Sequence, residues 1–190
     1  TLAPISLTIP SMKNEISRRQ FVGTTVTAGA AVALMPRLSR AASPGNKVVL
    51  AVAGVRTGAP GRSGRGIELI HKFTALPGVE FKYVIDPDRR YLAPAAAIAE
   101  KAQGRAPKQE TDFRRVLEDK DVDALLVTTP DHWHAPMAIL AAKAGKHVYV
   151  EKPCSHSPRE GEILVEVARK HGRLVQMGSQ RRSIANVNQM

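Results

Sequence analysis

From Asn46 onward, short β-rich apolar runs alternate with helical patterns, and this alternation restricts the chain more than any other feature. The runs are Val48–Val55, Phe81–Ile85, Ala124–Thr128, His147–Val150 and Leu174–Met177. They are nearly continuous in apolar residues, as strands covered on both faces are. Between them, Ile67, Ile70 and Phe73 recur at helical spacing, Tyr91–Gln103 is rich in alanine, and Phe113, Val116 and Leu117 form an i, i+3, i+4 stripe. Pro136 suits the first turn of a helix that ends before Gly145. Ser157-Pro158-Arg159-Glu160 has capping-box spacing with proline at the first helical position, and Gly172 stops the helix that follows. Strand–helix alternation at this spacing predicts right-handed βαβ units, and so an α/β, doubly wound parallel sheet.

A formal charge of +11 invites a nucleic-acid reading, but its distribution argues against one. Residues 1–66 carry nine Lys/Arg and one acid; the rest carries nineteen basic and sixteen acidic residues, a net of only +3. Aromatic residues make up 4%, too few for a base-stacking surface. The excess charge lies in a glycine-rich turn and a leader spanning residues 1–42. Met12 and Lys13 begin the leader's signal-like part, Arg18-Arg19 precede Phe21, an uncharged stretch runs from Val22 to Met35, and Ala41, Ala42 and Ser43 close it. Charged, apolar and small residues in that order read as a signal peptide, and the arginine pair as a twin-arginine (Tat) signal for export to the periplasm. The apolar stretch is shorter than the about 20 residues of a membrane span, so no stable membrane anchor is expected. Cys154 is the single cysteine, which rules out an internal disulfide.

In doubly wound sheets ligands bind beyond the carboxyl ends of the strands, so the residues after each strand matter most. After the first strand comes a long turn from Gly54 to Gly66, with Gly64, Arg65 and Gly66 at the start of a helix. Glycines there let a pyrophosphate approach the backbone, and the helix start supplies N–H groups, although no G-x-G-x-x-G is present. Asp86 follows the second strand, twenty residues beyond Gly66, where an acid accepts hydrogen bonds from the adenosine ribose. It favours NAD over NADP, while Arg89 and Arg90 stand near enough to blur that preference. Thr129-Pro130-Asp131-His132-Trp133-His134 follows the third of these runs, and Glu151-Lys152-Pro153-Cys154 the fourth. The two histidines of the first stretch lack the i, i+4 relation of a helical metal pair, and no zinc site is expected.

Thr129-Pro130-Asp131 with His134, Glu151-Lys152-Pro153, Ala144-Gly145-Lys146-His147-Val148 and Gln176-Met177-Gly178 together resemble the glucose–fructose oxidoreductase/inositol dehydrogenase/MocA (Gfo/Idh/MocA) family, over about residues 47–182. The resemblance implies a Rossmann-type dinucleotide-binding domain at 46–182. It implies NAD, or NADP, held by the glycine turn (Gly54, Gly64, Arg65, Gly66), Asp86, Thr129, Pro130, His134 and Glu151. It places Lys152 at the nicotinamide and substrate, assisting proton transfer from a sugar or cyclitol hydroxyl during hydride transfer. The family adds a second α+β domain; residues 183–190 would be its start, and the chain without it is expected to be inactive by itself.

Two other readings stay open: an NAD-dependent glycosidase that oxidises its sugar transiently, and a non-catalytic nucleotide-binding domain. Glu151-Lys152-Pro153 leans towards a plain dehydrogenase. Self-association is left open.

Overall fold

The computed structural model describes residues 47–58 and 63–180. The leader, the start of the second domain at 183–190 and positions 59–62 of the glycine turn lie outside the described residues.

Six parallel strands form one sheet: β1 Val48–Ala53, β2 Val79–Ile85, β3 Lys108–Glu110, β4 Ala124–Val127, β5 His147–Glu151 and β6 Val175–Gly178. Their order is β3-β2-β1-β4-β5-β6. The chain winds outward from β1 to β3, returns, and winds the other way from β4. The switch point therefore lies between β1 and β4, which pair from Leu50↔Ala124 to Ala53↔Val127.

Five α-helices are described: α1 Arg65–Thr74, α2 Arg89–Gln103, α3 Phe113–Leu117, α4 His134–Lys143 and α5 Pro158–Lys170. Alternation along β1 feeds two cores. Leu50 and Val52 pack with Ile67 and Ile70 of α1 and with Leu92 and Ala96 of α2. Ala51 and Ala53 face the other way, onto Met137, Ala138 and Ala141 of α4. The expected capping box is present: Ser157 Oγ accepts from Glu160 N–H, and the Glu160 carboxylate accepts from Ser157 N–H. Pro136 lies in the first turn of α4, and Gly145 and Gly172 follow their helices at φ +82° and +60°.

The strand limits differ from the sequence reading in informative ways. β1 stops at Ala53, because Gly54 turns the chain at φ +89°; Val55 is nonetheless fully buried, by packing and not by pairing. β3 has the sequence Lys-Gln-Glu and no apolar signal; it forms because β2 offers a free edge along Tyr83–Ile85. β6 is the opposite edge. It is not covered on both faces: Gln176 and Met177 are exposed, as is Leu174 just before it.

Candidate functional site

Loops from four strands converge at the carboxyl edge of the sheet, and each is fastened to another by a named contact. At Gly54 a Cβ would stand 2.6 Å from the Thr128 carbonyl carbon and 2.7 Å from the Thr129 nitrogen. At Gly66 it would stand 2.5 Å from the Gly54 oxygen, and at Gly64 it would overlap the Arg56 carbonyl. The glycines expected to admit a pyrophosphate thus also admit neighbouring backbone, which folds the long turn onto itself and sets the start of α1 against the end of β1. Thr128, which the sequence reading passed over, completes the joint: its hydroxyl lies 2.8 Å from both the Ala53 and Gly54 carbonyl oxygens.

The start of α1 is left open by side chains. Asp88, Asp112 and Ser157 cap α2, α3 and α5, whereas Gly64 gives α1 no side-chain cap. Its free N–H groups and dipole suit an anionic phosphate. Arg65, at the first position of this helix, is engaged by two carboxylates. Its Nε donates to Glu151 Oε1 at 2.7 Å, and its Nη1 lies 2.7 Å from Glu68 Oε2 as an ion contact. Burial opposes the guanidinium charge, but the two carboxylates outweigh it and raise the pKa. Glu151 is buried, and this pair ties the end of β5 to the glycine turn.

Asp86 lines the cavity and is buried, with both carboxylate oxygens engaged by backbone N–H groups of Val55 and Asp88. Thr129 and Pro130 also line it. His134, expected among the cofactor contacts, is 1% exposed and lies beneath the site. Its Nδ1 is 2.6 Å from the Pro153 carbonyl and its Nε2 2.8 Å from the Thr129 carbonyl. It therefore braces the loop after β4 against the loop after β5. Lys152 is exposed at the end of β5, and its peptide bond to Pro153 is cis.

Between the loops after β1, β2, β3 and β4 lies a cavity of about 730 Å³, whose lining does not include Gly64, Gly66, Glu151 or Lys152; its volume is typical of small-molecule and cofactor sites. Its walls include Tyr91, Phe113, Trp133, Met137 and Leu140, none of them anticipated from sequence. Phe113 and Trp133 meet edge to face at 6.5 Å, and Trp133 is 47% exposed. An uncapped helix start, a buried acid at the end of β2 and an aromatic-walled cavity beside the switch point fit an adenine dinucleotide.

The family model described as "Oxidoreductase family, NAD-binding Rossmann fold" matches residues 57–179. The chain belongs to the Gfo/Idh/MocA family. It is 32% identical over 173 residues to the alpha-N-acetylgalactosaminidase of Shewanella oneidensis, covering 83% of this chain and 38% of that protein. It is 34% identical over 175 residues to a glycosyl hydrolase family 109 protein of Saccharopolyspora erythraea, covering 84% and 38%. Among solved structures it is similar to GenD2 from gentamicin A biosynthesis in complex with NAD, at 27% identity and TM-score 0.59, covering 70% of this chain and 34% of that one. Its fold is shared with the WlbA dehydrogenase of Chromobacterium violaceum, solved with NADH and UDP-GlcNAcA, at 23% identity and TM-score 0.61, covering 77% and 39%. The Gfo/Idh/MocA chain described here thus spans well under half the length of these relatives. The matched family is an NAD-binding Rossmann fold, in agreement with the expected nicotinamide cofactor.

Proposed function

We propose that this chain is the NAD-binding half of an enzyme that removes hydride from the hydroxyl-bearing carbon of a sugar or cyclitol. One observation carries the reading. Lys152 is exposed at the end of β5, while its neighbour Glu151 is fixed to the start of α1 by Arg65. Lys152 follows that fixed residue and is itself exposed, available to a substrate seated over the sheet edge. NAD, when bound, supplies the hydride acceptor. The protein's part is to hold the substrate hydroxyl at Lys152 Nζ, to assist the departure of its proton, and to keep the reacting atoms about 3–3.5 Å apart. A wall opposite Lys152 is required for that, and the family's second domain supplies it.

A second reading has its own support: the curated relatives at 31–34% identity are named for glycosyl hydrolase family 109 or as an alpha-N-acetylgalactosaminidase. In such a cycle the hydride is returned and no net oxidation remains. The two readings diverge in one assay of the full-length protein. Reduced cofactor accumulating with free sugars or cyclitols supports the dehydrogenase. Release of an aglycone from N-acetylhexosaminides, with the cofactor pool unchanged, supports the glycosidase and overturns the first reading.

A further inference from the structure

Four arginines, Arg56, Arg89, Arg90 and Arg114, stand on the loops and helix starts at this edge of the sheet, and the structure separates them. Arg90 grips Asp88 through Nε at 3.0 Å and Nη2 at 2.6 Å. Arg114 grips Asp112 in the same way, at 2.9 and 2.7 Å. In both pairs the aspartate is also the helix cap, so these arginines are held by carboxylates that the fold needs. Arg89 faces a different, smaller cavity lined by Gln109, Glu110 and Arg115. Arg56 is unlike the other three. It follows Gly54-Val55 in the turn, lines the main cavity, and has no carboxylate partner among the described residues. Its guanidinium lies 5.9 Å from the centre of the Tyr91 ring, as does that of Arg90.

Arg56 and Asp86 therefore share one wall. Val55 N–H donates to Asp86 Oδ2, so Arg56 follows directly on the carboxylate-bound residue, and Arg56 and Asp86 both line the cavity. That is the place where an adenosine ribose, hydrogen-bonded to the free lone pairs of Asp86, would present its 2′ position. Resting on the nucleotide reading above, we propose that Arg56 receives a ribose 2′-phosphate and makes the site accept NADP as well as NAD. The buried carboxylate favours the 2′-hydroxyl and repels the phosphate; the unpaired guanidinium offsets that repulsion. Arg89 and Arg90, closer to Asp86 in sequence, do not set the preference.

The test is calorimetry of the 190-residue chain with ADP-ribose and with its 2′-phosphate. Neither probe carries the nicotinamide, so neither needs a second domain. The expected result is binding of both within about tenfold of each other. Arg56→Ala should weaken the 2′-phosphate on the order of tenfold, the loss typical of a charge-assisted hydrogen bond, and should change ADP-ribose far less. Arg90→Ala should leave the ratio near that of the parent. The 2′-phosphate should also show the steeper decline with added salt. Binding of ADP-ribose with an unchanged ratio in Arg56→Ala overturns the role of Arg56 and leaves the nucleotide site standing. Binding of neither probe overturns both.

Discussion

Asp86 holds Val55: Oδ2 accepts from the Val55 N–H at 3.0 Å, while Oδ1 accepts from Asp88 N–H at 3.0 Å. The residue read from sequence as a ribose acceptor is thus also the clasp between the ends of β1 and β2. Asp86→Asn replaces one acceptor by an NH₂ group, which must face one of two N–H donors. A buried clash of donors costs about 1–3 kcal/mol. A melting temperature several degrees below that of the parent, with weaker ADP-ribose binding, is the expected outcome; a melting temperature equal to the parent's would show that the clasp contributes nothing.

The closeness of Gly66 to Gly54 gives a second expectation. A methyl group at 66 would stand 2.5 Å from the Gly54 carbonyl and 2.9 Å from the Thr128 hydroxyl. Gly66→Ala must push α1 off the end of β1, and nucleotide binding should fall by more than tenfold while the helical circular dichroism signal persists. Gly104→Ala is a poor control despite open space there, because that glycine has φ +76°; Glu166→Ala, at an exposed position of α5 away from the turn, is the better one.

Acid sensitivity should come from the opposite end of the sheet. Lys82 on β2 contacts Asp119 at 2.7 Å and Asp121 at 2.8 Å, and Tyr83 Oη donates to Asp119 at 2.9 Å. The hydrogen bond from Lys82 holds the Asp119 carboxyl down at about 2, below its ordinary 3.8, against a burial penalty. A depressed carboxyl stabilises the fold above its ordinary value, and the contribution disappears as pH falls towards the folded one. Lys82→Ala should therefore melt below the parent at neutral pH, and the two melting temperatures should converge between about pH 4 and pH 2. A constant gap down to pH 2 would remove Asp119 as the cause.

Lys152 is exposed, so its role can be separated from stability. In the full-length protein, Lys152→Met should leave the melting temperature within about 1 °C, since exposed substitutions change stability by roughly ±0.5 kcal/mol. Turnover should fall about 10²–10⁴-fold, the range of general acid–base contributions. Unchanged turnover in a folded variant would take Lys152 out of the reaction.

Export by the Tat route is likewise a proposal, motivated by Arg18-Arg19 ahead of a mild apolar stretch. Fused ahead of a reporter, residues 12–43 should carry it to the periplasm, and replacing both arginines by lysine should abolish that transfer. Equal periplasmic activity with either pair would remove the proposal.

Sequence alone determined the parallel sheet, because strands covered on both faces must be apolar throughout and their connecting helices must show a 3.6-residue stripe. It determined the helix limits at Ser157 and Gly172 as well, since caps and stops are local chemistry carried by one to four adjacent residues. It brought Gly54, Asp86, Thr129 and Lys152 to one edge, because each follows a strand and all the strands point the same way. Tertiary structure alone decided the rest. The three-residue strand Lys108–Glu110 exists only as the neighbour of β2. The cavity wall draws Tyr91, Phe113 and Trp133 from three separate segments, whose spacing along the chain carries no sign of their meeting. His134 illustrates the division: its place in the motif is visible in the sequence, but its work depends on two carbonyl oxygens, five and nineteen residues away, that the fold sets on either side of its ring. Side-chain periodicity reports which face of an element is buried; it says nothing about which polar groups are brought together there, because that depends on how separate elements pack.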